Sequence, residues 1–360
     1  MEKKIYSIIT ATGKYIPTLI VKNSDFLNNV FYDSKGQIIN KTNEEIISKF
    51  QEITQISERR YIEDKYVTSD IAYFAAEDAL QSGNINREEL DYIIVAHNFG
   101  DVRKDNPKTD IVPTIAARVK QRLGIENPYT IAYDLPFGCP GWLQAVIQAN
   151  YYIQSGDAKK ILVIGAEALS RISDPHDIDS MIYSDGAGAV VLEAIESESP
   201  IGILAHKTRS DTLNHAQLLR MDVSYNPNYG SDRLFLKMEG RKLYEYALTY
   251  VPQLVKETIE KAGISITDIK KVLIHQANEK MDDAILSRLL KLYSIKIIPE
   301  HIMPMTISLL GNNSVATLPI LVDKIIKEEM PNHIIESNDY IVFASVGAGM
   351  NVNSVVYKVQ

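Results

Sequence analysis

Residues 79–96 read Ala-Leu-Gln-Ser-Gly-Asn-Ile-Asn-Arg-Glu-Glu-Leu-Asp-Tyr-Ile-Ile-Val-Ala, and residues 259–275 read Ile-Glu-Lys-Ala-Gly-Ile-Ser-Ile-Thr-Asp-Ile-Lys-Lys-Val-Leu-Ile-His. Each is a helix end closed by a glycine (Gly83, Gly263), a short polar turn, then a β-branched apolar run that reads as a buried strand. The correspondence extends downstream. The strand 129–135 leads to Gly138-Cys139-Pro140-Gly141 and a helical run from Trp142 to Gln154; Ile307 to Leu310 leads to Gly311-Asn312-Asn313-Ser314 and a helical run from Val315 to Glu329. Strand 160–165 then matches 340–345, and strand 186–193 matches 353–358. An order of helix, strand, loop, helix, strand, strand that occurs twice predicts an α/β protein of two similar halves, 1–198 and 199–360. The two helical runs are expected to pack against each other at the centre. A period this long marks a duplicated domain, because solenoid repeats are far shorter.

Composition narrows the function. The chain has 360 residues, 45% hydrophobic and 23% charged, as in a soluble globular enzyme. No stretch approaches a membrane span, and no signal peptide is expected, so a cytoplasmic enzyme is the expectation. A single cysteine excludes intrachain disulfides and cysteine-based zinc clusters. A net charge of −8 disfavours nucleic acid or an anionic membrane as partner.

Cys139 sits between a strand and a helix start, where the helix dipole and unpaired N–H groups favour thiolate, the reactive form. A lone cysteine also reads as a small buried hydrophobe. His275 ends a buried strand, the place where α/β sites collect, although lone histidines are more often structural. Asn312 lies in the loop that the repeat makes equivalent to the Cys139 loop. The duplication sets these loops opposite each other, which predicts a Cys–His–Asn constellation suited to covalent acyl transfer. Two glycine runs, Asp185-Gly186-Ala187-Gly188-Ala189 and Val346-Gly347-Ala348-Gly349-Met350, lead into strands and so fail the dinucleotide fingerprint. They read as tight turns, the second with N–H groups for an oxyanion. Asp174, His176 and Asp177 read as a solvated loop; no metal site is expected.

The motifs Asp134-Leu135-Pro136-Phe137-Gly138-Cys139, His275-Gln276-Ala277-Asn278, Gly311-Asn312-Asn313-Ser314 and Gly347-Ala348-Gly349, in this order, make the chain resemble the β-ketoacyl-[acyl-carrier-protein] synthase III group of the thiolase-like superfamily. The resemblance runs from Thr10 to the C-terminus. It implies a thiolase-like duplicated fold layered α-β-α-β-α, a homodimer, and no cofactor. It implies that Cys139 takes an acyl group from an acyl-CoA or acyl-carrier thioester. The N–H groups of Cys139 and Gly349 would form the oxyanion hole. His275 and Asn312 would hold the thioester carbonyl of malonyl-carrier protein through decarboxylation and Claisen condensation to a β-ketoacyl thioester.

Departures from the family pattern redirect the substrate expectation. Members that start from acetyl-CoA clamp adenine between Trp and Arg; Lys49 and Ile178 stand at the matching positions. Arg241 replaces an asparagine near the pantetheine arm. The loops 31–42 and 99–110 look long. Val112 stands where a partner-subunit Phe limits the acyl pocket, which implies a larger acyl group. A basic dock for an acidic acyl carrier protein is expected from Arg233, Lys237, Arg241, Lys242, Lys280 and Arg288, the alternative being a solvated helix face. Rival readings are a specialised secondary-metabolite enzyme of dialkylresorcinol type, a Cys-dependent acyl transfer to a hydroxyl or amine, and a silent chain-length partner subunit, which the intact Cys, His and Asn argue against.

Overall fold

The structure is a computed structural model that describes residues 3–360. The elements that build the site are, in chain order, β1 (Lys4–Tyr15), α1 (Asn43–Thr54), α2 (Thr68–Ser82), β2 (Tyr92–Ala96), α3 (Ile115–Leu123), β3 (Ile131–Leu135), α4 (Gly141–Ser155), β4 (Lys160–Ala168) and β5 (Asp185–Ser197) in the first half. The second half supplies β6 (Gly202–Ser210), α5 (Gly240–Ala262), β7 (Ile269–Ile274), α6 (Glu279–Lys291), α7 (Thr317–Ile326), β8 (Tyr340–Gly347) and β9 (Asn351–Lys358).

The first sheet has the order β1-β5-β4-β2-β3, and the second β6-β9-β8-β7. In the first, β2 runs parallel to β3 and β4, while β5 is antiparallel to β4 and β1. In the second, β7 is parallel to β8, and β9 is antiparallel to β8 and β6. The pairing pattern is therefore the same in both halves, as the repeat predicts. One strand has no counterpart: Ile307–Leu310, matched to β3 by sequence, forms a single helical turn instead. Three apolar residues around Ser308 do not distinguish a strand from a helical turn.

Layering follows from burial. α4 has no charged residue and buries Trp142, Leu143, Val146 and Ile147, so both sides of it need cover. It packs with Leu318, Leu321 and Val322 of α7 in one apolar cluster that also takes Ile161 and Val163 from the first sheet and Leu273 and Phe343 from the second. α2 and α3 cover the outer face of the first sheet, and α5 and α6 that of the second. The result is the thiolase-like α-β-α-β-α stack. Burial on both faces explains why β2 reads as a continuous apolar run.

The glycines of the first run are explained differently from the tight turn expected of them. Gly186 and Gly188 lie inside β5, and a Cβ on Gly188 would stand 2.7 Å from the backbone nitrogen of Ile320. They let α7 approach the sheet closely. The outer edges of the sheets differ as well. β7 is covered by the segment around Ile302, whose carbonyl accepts the Val272 N–H at 2.9 Å. β3 is a sheet edge.

Asp174 and Asp177 are not in a solvated loop. Both are buried, and both bind the ammonium of Lys237, at 2.5 and 2.9 Å. Lys237 is itself fully buried, with Nζ 3.5 Å from the centre of the Tyr225 ring. A buried ammonium needs this anionic company, and it is unavailable to any docking partner.

Candidate active site

The Cys139 loop joins β3 to α4, with Pro140 at the helix N-cap. Gly138 has φ +68, a left-handed value that glycine takes readily. Across from it lies the turn after β8. A Cβ on Gly138 would be 2.8 Å from the Ala348 nitrogen, and one on Gly347 would be 2.6 Å from the Cys139 nitrogen. The two halves thus meet here backbone to backbone. Val346, near the end of β8, and Ala348 of that turn line the cavity beside Cys139. Gly349 serves the turn itself, at φ +76.

His275 follows β7, its N–H donating to the Ala344 carbonyl at 2.9 Å. Its ring is buried, and Nδ1 has no hydrogen-bond partner among the described residues. Burial pushes its pKa down to about 4, against a hydrogen bond with the Ser314 backbone, so the imidazole is neutral at pH 7. Asn312 is tied to the first half by its N–H to the Ile182 carbonyl and by its carbonyl to the Ser184 N–H, each 2.9 Å. Its Oδ1 accepts the Ser314 N–H at 2.8 Å, which leaves the amide NH₂ as the group to offer a ligand.

Cys139, His275 and Asn312 all line one inner cavity of about 210 Å³. Its apolar walls come from Leu219, Met221, Leu236 and Met238, a hairpin beside the thiol. An outer cavity of about 560 Å³ shares Met238, Leu243, Ala277, Met281 and Asn312 with it. The two cavities adjoin, and the inner one ends at Cys139.

Burial works against the thiolate that the helix start favours. Burial pushes Cys139 up to about 11; the Ser314 hydrogen bond opposes this and the Glu167 charge adds to it.

Three residues here were not singled out by sequence. Ser314 Oγ lies 3.5 Å from the Cys139 sulfur, Asn98 Nδ2 lies 3.3 Å from Ser314 Oγ, and the same nitrogen donates to Glu167 at 2.6 Å. Asn98 follows β2 and Glu167 closes β4. Their one signal in the sequence is that location, at the C-terminal ends of parallel strands.

Around the outer mouth the predicted residues divide. Lys49, Ile178 and Arg241 line it, joined by Lys41 and Tyr244. Arg241 is exposed and bonded to Glu245, and Lys242 to Glu239. Lys280 is exposed in the first turn of α6, close to the mouth residues Asn278 and Met281. Arg288 stands about 12 Å further along that helix and donates to the Leu248 carbonyl at 3.1 Å. Arg233 donates to the Arg171 carbonyl. Val112 does not line the cavity of its own chain; it is 83% exposed on the loop before α3. Among the described residues no helix is long and apolar enough to cross a membrane.

Comparison with known proteins agrees with this geometry. The family model for 3-oxoacyl-[acyl-carrier-protein] synthase III matches residues 133–212, and the model for its C-terminal part matches 259–359. The chain is 30% identical to the β-ketoacyl-[acyl-carrier-protein] synthase III of Xanthomonas campestris, over 99% of this chain and 100% of that one. It is also 30% identical to the Staphylococcus aureus enzyme of that name, over 97% and 98%. The crystal structure of the Aquifex aeolicus synthase III superposes with a TM-score of 0.79 at 29% identity, covering 98% of this chain and 99% of the other. A duplicated fold, a cysteine, histidine and asparagine converging across its seam, and full-length relatives lead to one conclusion: the chain belongs to the 3-oxoacyl-[acyl-carrier-protein] synthase III family of condensing enzymes.

Proposed function

We propose that Cys139 accepts an acyl group from a thioester and passes it to the carbanion formed from malonyl-carrier protein. In loading, the Cys139 sulfur bonds to the acyl carbon, the donor's C–S bond breaks, and the thiol proton leaves with the donor sulfur. Malonyl thioester then loses carbon dioxide. The neutral His275 ring and the Asn312 amide each donate a hydrogen bond to its carbonyl, stabilising the enolate, where one such donor is worth about 10²–10³ in rate. The carbanion attacks the acyl carbon and the Cys139 thiolate departs. The N–H groups of Cys139 and Gly349 hold the oxyanion of each tetrahedral intermediate. The observation that carries this reading is the convergence of Cys139, His275 and Asn312 on one cavity from two halves.

The donor is carrier-bound in this reading, because Lys49 and Ile178 at the mouth cannot sandwich an adenine as Trp and Arg do. Arg241 and Lys280 supply local positive charge for an acidic carrier. A coenzyme A donor has one observation in its favour: Tyr244 and Arg241, three residues apart on α5, present a ring and a guanidinium at the same mouth. A second protomer docks against the β3 edge, where Ile111, Val112, Tyr129 and Ile131 are exposed, and brings its Val112 to the acyl pocket.

The test is intact mass spectrometry after incubation with a panel of acyl-CoA and acyl-carrier thioesters. One acyl adduct on wild type and none on Cys139→Ala is expected. Condensation that persists after full alkylation of the single cysteine would refute the mechanism.

A further inference from the structure

The loading step needs a reactive sulfur, yet His275 and Asn312 make no hydrogen bond to it in the free protein. Among the described residues its side-chain hydrogen-bond partner is Ser314, at 3.5 Å. Behind Ser314 stands Asn98, whose Nδ2 is 3.3 Å from the hydroxyl and 2.6 Å from Glu167 Oε2. The Asn98 N–H also points at Glu167, at 3.4 Å. Glu167 is completely buried and has no lysine or arginine within ion-pair distance among the described residues. It faces His97 from the neighbouring strand end, Asp185 from β5 and the Cys139 loop. The His97 ring is engaged elsewhere: its Nε2 lies 2.9 Å from Asp134 and its Nδ1 accepts the Gly100 N–H.

The direction of the bonds is fixed by donor and acceptor chemistry. Glu167 Oε1 faces the Asn98 N–H and Oε2 takes the Asn98 NH₂ at 2.6 Å, the arrangement that suits the ionised carboxylate, which only accepts. That same NH₂ reaches Ser314, whose oxygen must then accept. The one hydroxyl proton of Ser314 is left for the sulfur. We propose that Glu167, Asn98 and Ser314 form a one-way hydrogen-bond chain that aims the Ser314 proton at the Cys139 sulfur. Ser314 is then a catalytic residue, touching the reacting atom, and Asn98 and Glu167 are positioning residues. A donated proton favours thiolate over thiol. It therefore helps twice, when the thiol gives up its proton in loading and when the sulfur departs in condensation. A buried carboxylate without a cation is costly to keep, and directing a hydroxyl beside the nucleophile gives it a role.

The inference rests on Cys139 as the nucleophile. Its test is the pH profile of alkylation by iodoacetamide, read unambiguously because the chain has one cysteine. Ser314→Ala is expected to move the profile to higher pH and to lower the rate at pH 7 by about 3- to 10-fold, the effect of one hydrogen bond. Asn98→Ala frees the hydroxyl to turn and is expected to cost less. The double variant is expected to lose no more than Ser314→Ala alone. An unchanged profile in Ser314→Ala, or losses that simply multiply, would overturn the chain. If Ser314→Ala does not fold, the S–H stretching band of Asn98→Ala decides: a band moved toward that of a free thiol supports the chain, and an unmoved band overturns it. No acyl donor is present in these measurements. A wild type that alkylates normally but loads no acyl group would refute the nucleophile reading separately.

Discussion

The Ser314 hydroxyl lies 3.5 Å from the Cys139 sulfur, across 175 positions of sequence and across the seam between the two halves. Cys139 belongs to one half; His275, Asn312 and this serine belong to the other. The site therefore exists only when the halves are docked, and small residues set how closely they dock. Gly165 of β4 illustrates the tolerance: a Cβ there would meet the Val315 carbonyl oxygen at 2.3 Å.

Gly347→Ala isolates that closeness. Gly347 has φ −172, which alanine accepts, so the substitution adds only a methyl group. The methyl would stand 2.6 Å from the Cys139 nitrogen and 2.7 Å from Pro140 Cδ. Overpacking of this kind costs about 1–3 kcal/mol. Melting is expected to shift modestly while acyl loading falls by 100-fold or more, because about 1 Å of misplacement is enough for that. Normal loading on a destabilised protein would mean that the loop relaxes freely.

His275→Ala and Asn312→Ala are expected to load acyl groups on Cys139 and to fail to release carbon dioxide from malonyl-carrier protein, each by about 10²–10³. With the His275 pKa pushed down to about 4, the imidazole is neutral above that pH and gains charge only below it. The decarboxylation rate should show no inflection near 6.5, the ordinary histidine value. Loss of loading with normal decarboxylation would reverse the roles.

The donor prediction is a competition. The same acyl group should load faster from an acidic carrier protein than from coenzyme A, and the advantage should shrink as salt screens the exposed charges. Lys280→Glu is expected to slow the carrier reaction more than Arg288→Glu, because Arg288 sits further from the mouth and is held by the Leu248 carbonyl. A stacked adenine is worth about 1–3 kcal/mol by analogy with bases on aromatic rings. Saturation by acyl-CoA at low concentration, lost in Tyr244→Ala, would show that Tyr244 and Arg241 have replaced the missing clamp.

Glu167→Gln separates stability from function. Burial raises the Glu167 pKa from 4.5 to about 7. For a carboxyl raised in this way, its stabilising contribution is fully present below pH 4.5 and is lost as pH rises through 7. The glutamine variant has no charge to lose. It should match wild type at pH 4.5 and exceed it at pH 8, by up to about 3 kcal/mol in urea unfolding. Equal stability at pH 8 would place Glu167 in better solvated surroundings than its zero exposure implies.

Much of this was legible before any coordinate. The repeat gave both sheets because strand order, glycine-closed helices and apolar runs are local signals, and Cys139, His275 and Asn312 stand where duplicated loops must meet. What escaped was tertiary. Asp174 and Asp177 look like loop acids because their cation, Lys237, comes from at least 60 positions away. The upward push that burial gives the Cys139 thiol, against the helix start, also depends on residues distant in sequence. The turn at Ile307–Leu310 replaces a strand because no neighbour offers it a ladder. Glu167 and Asn98 carry no motif; only the packing of β2 against β4 brings them together.

The two sheets end unequally on the flanks of β3 and β7. A row of unpaired N–H and C=O groups recruits another strand; β3 presents such a row, whereas the segment around Ile302 occupies the corresponding flank of the second sheet. A molecule with two bare flanks would string into fibres. One bare flank, joined to its own copy about a twofold axis, is used up at the first encounter. The duplication would have supplied the second flank as well; with one strand lost from the later copy, any copy that pairs at β3 closes that row rather than extending it.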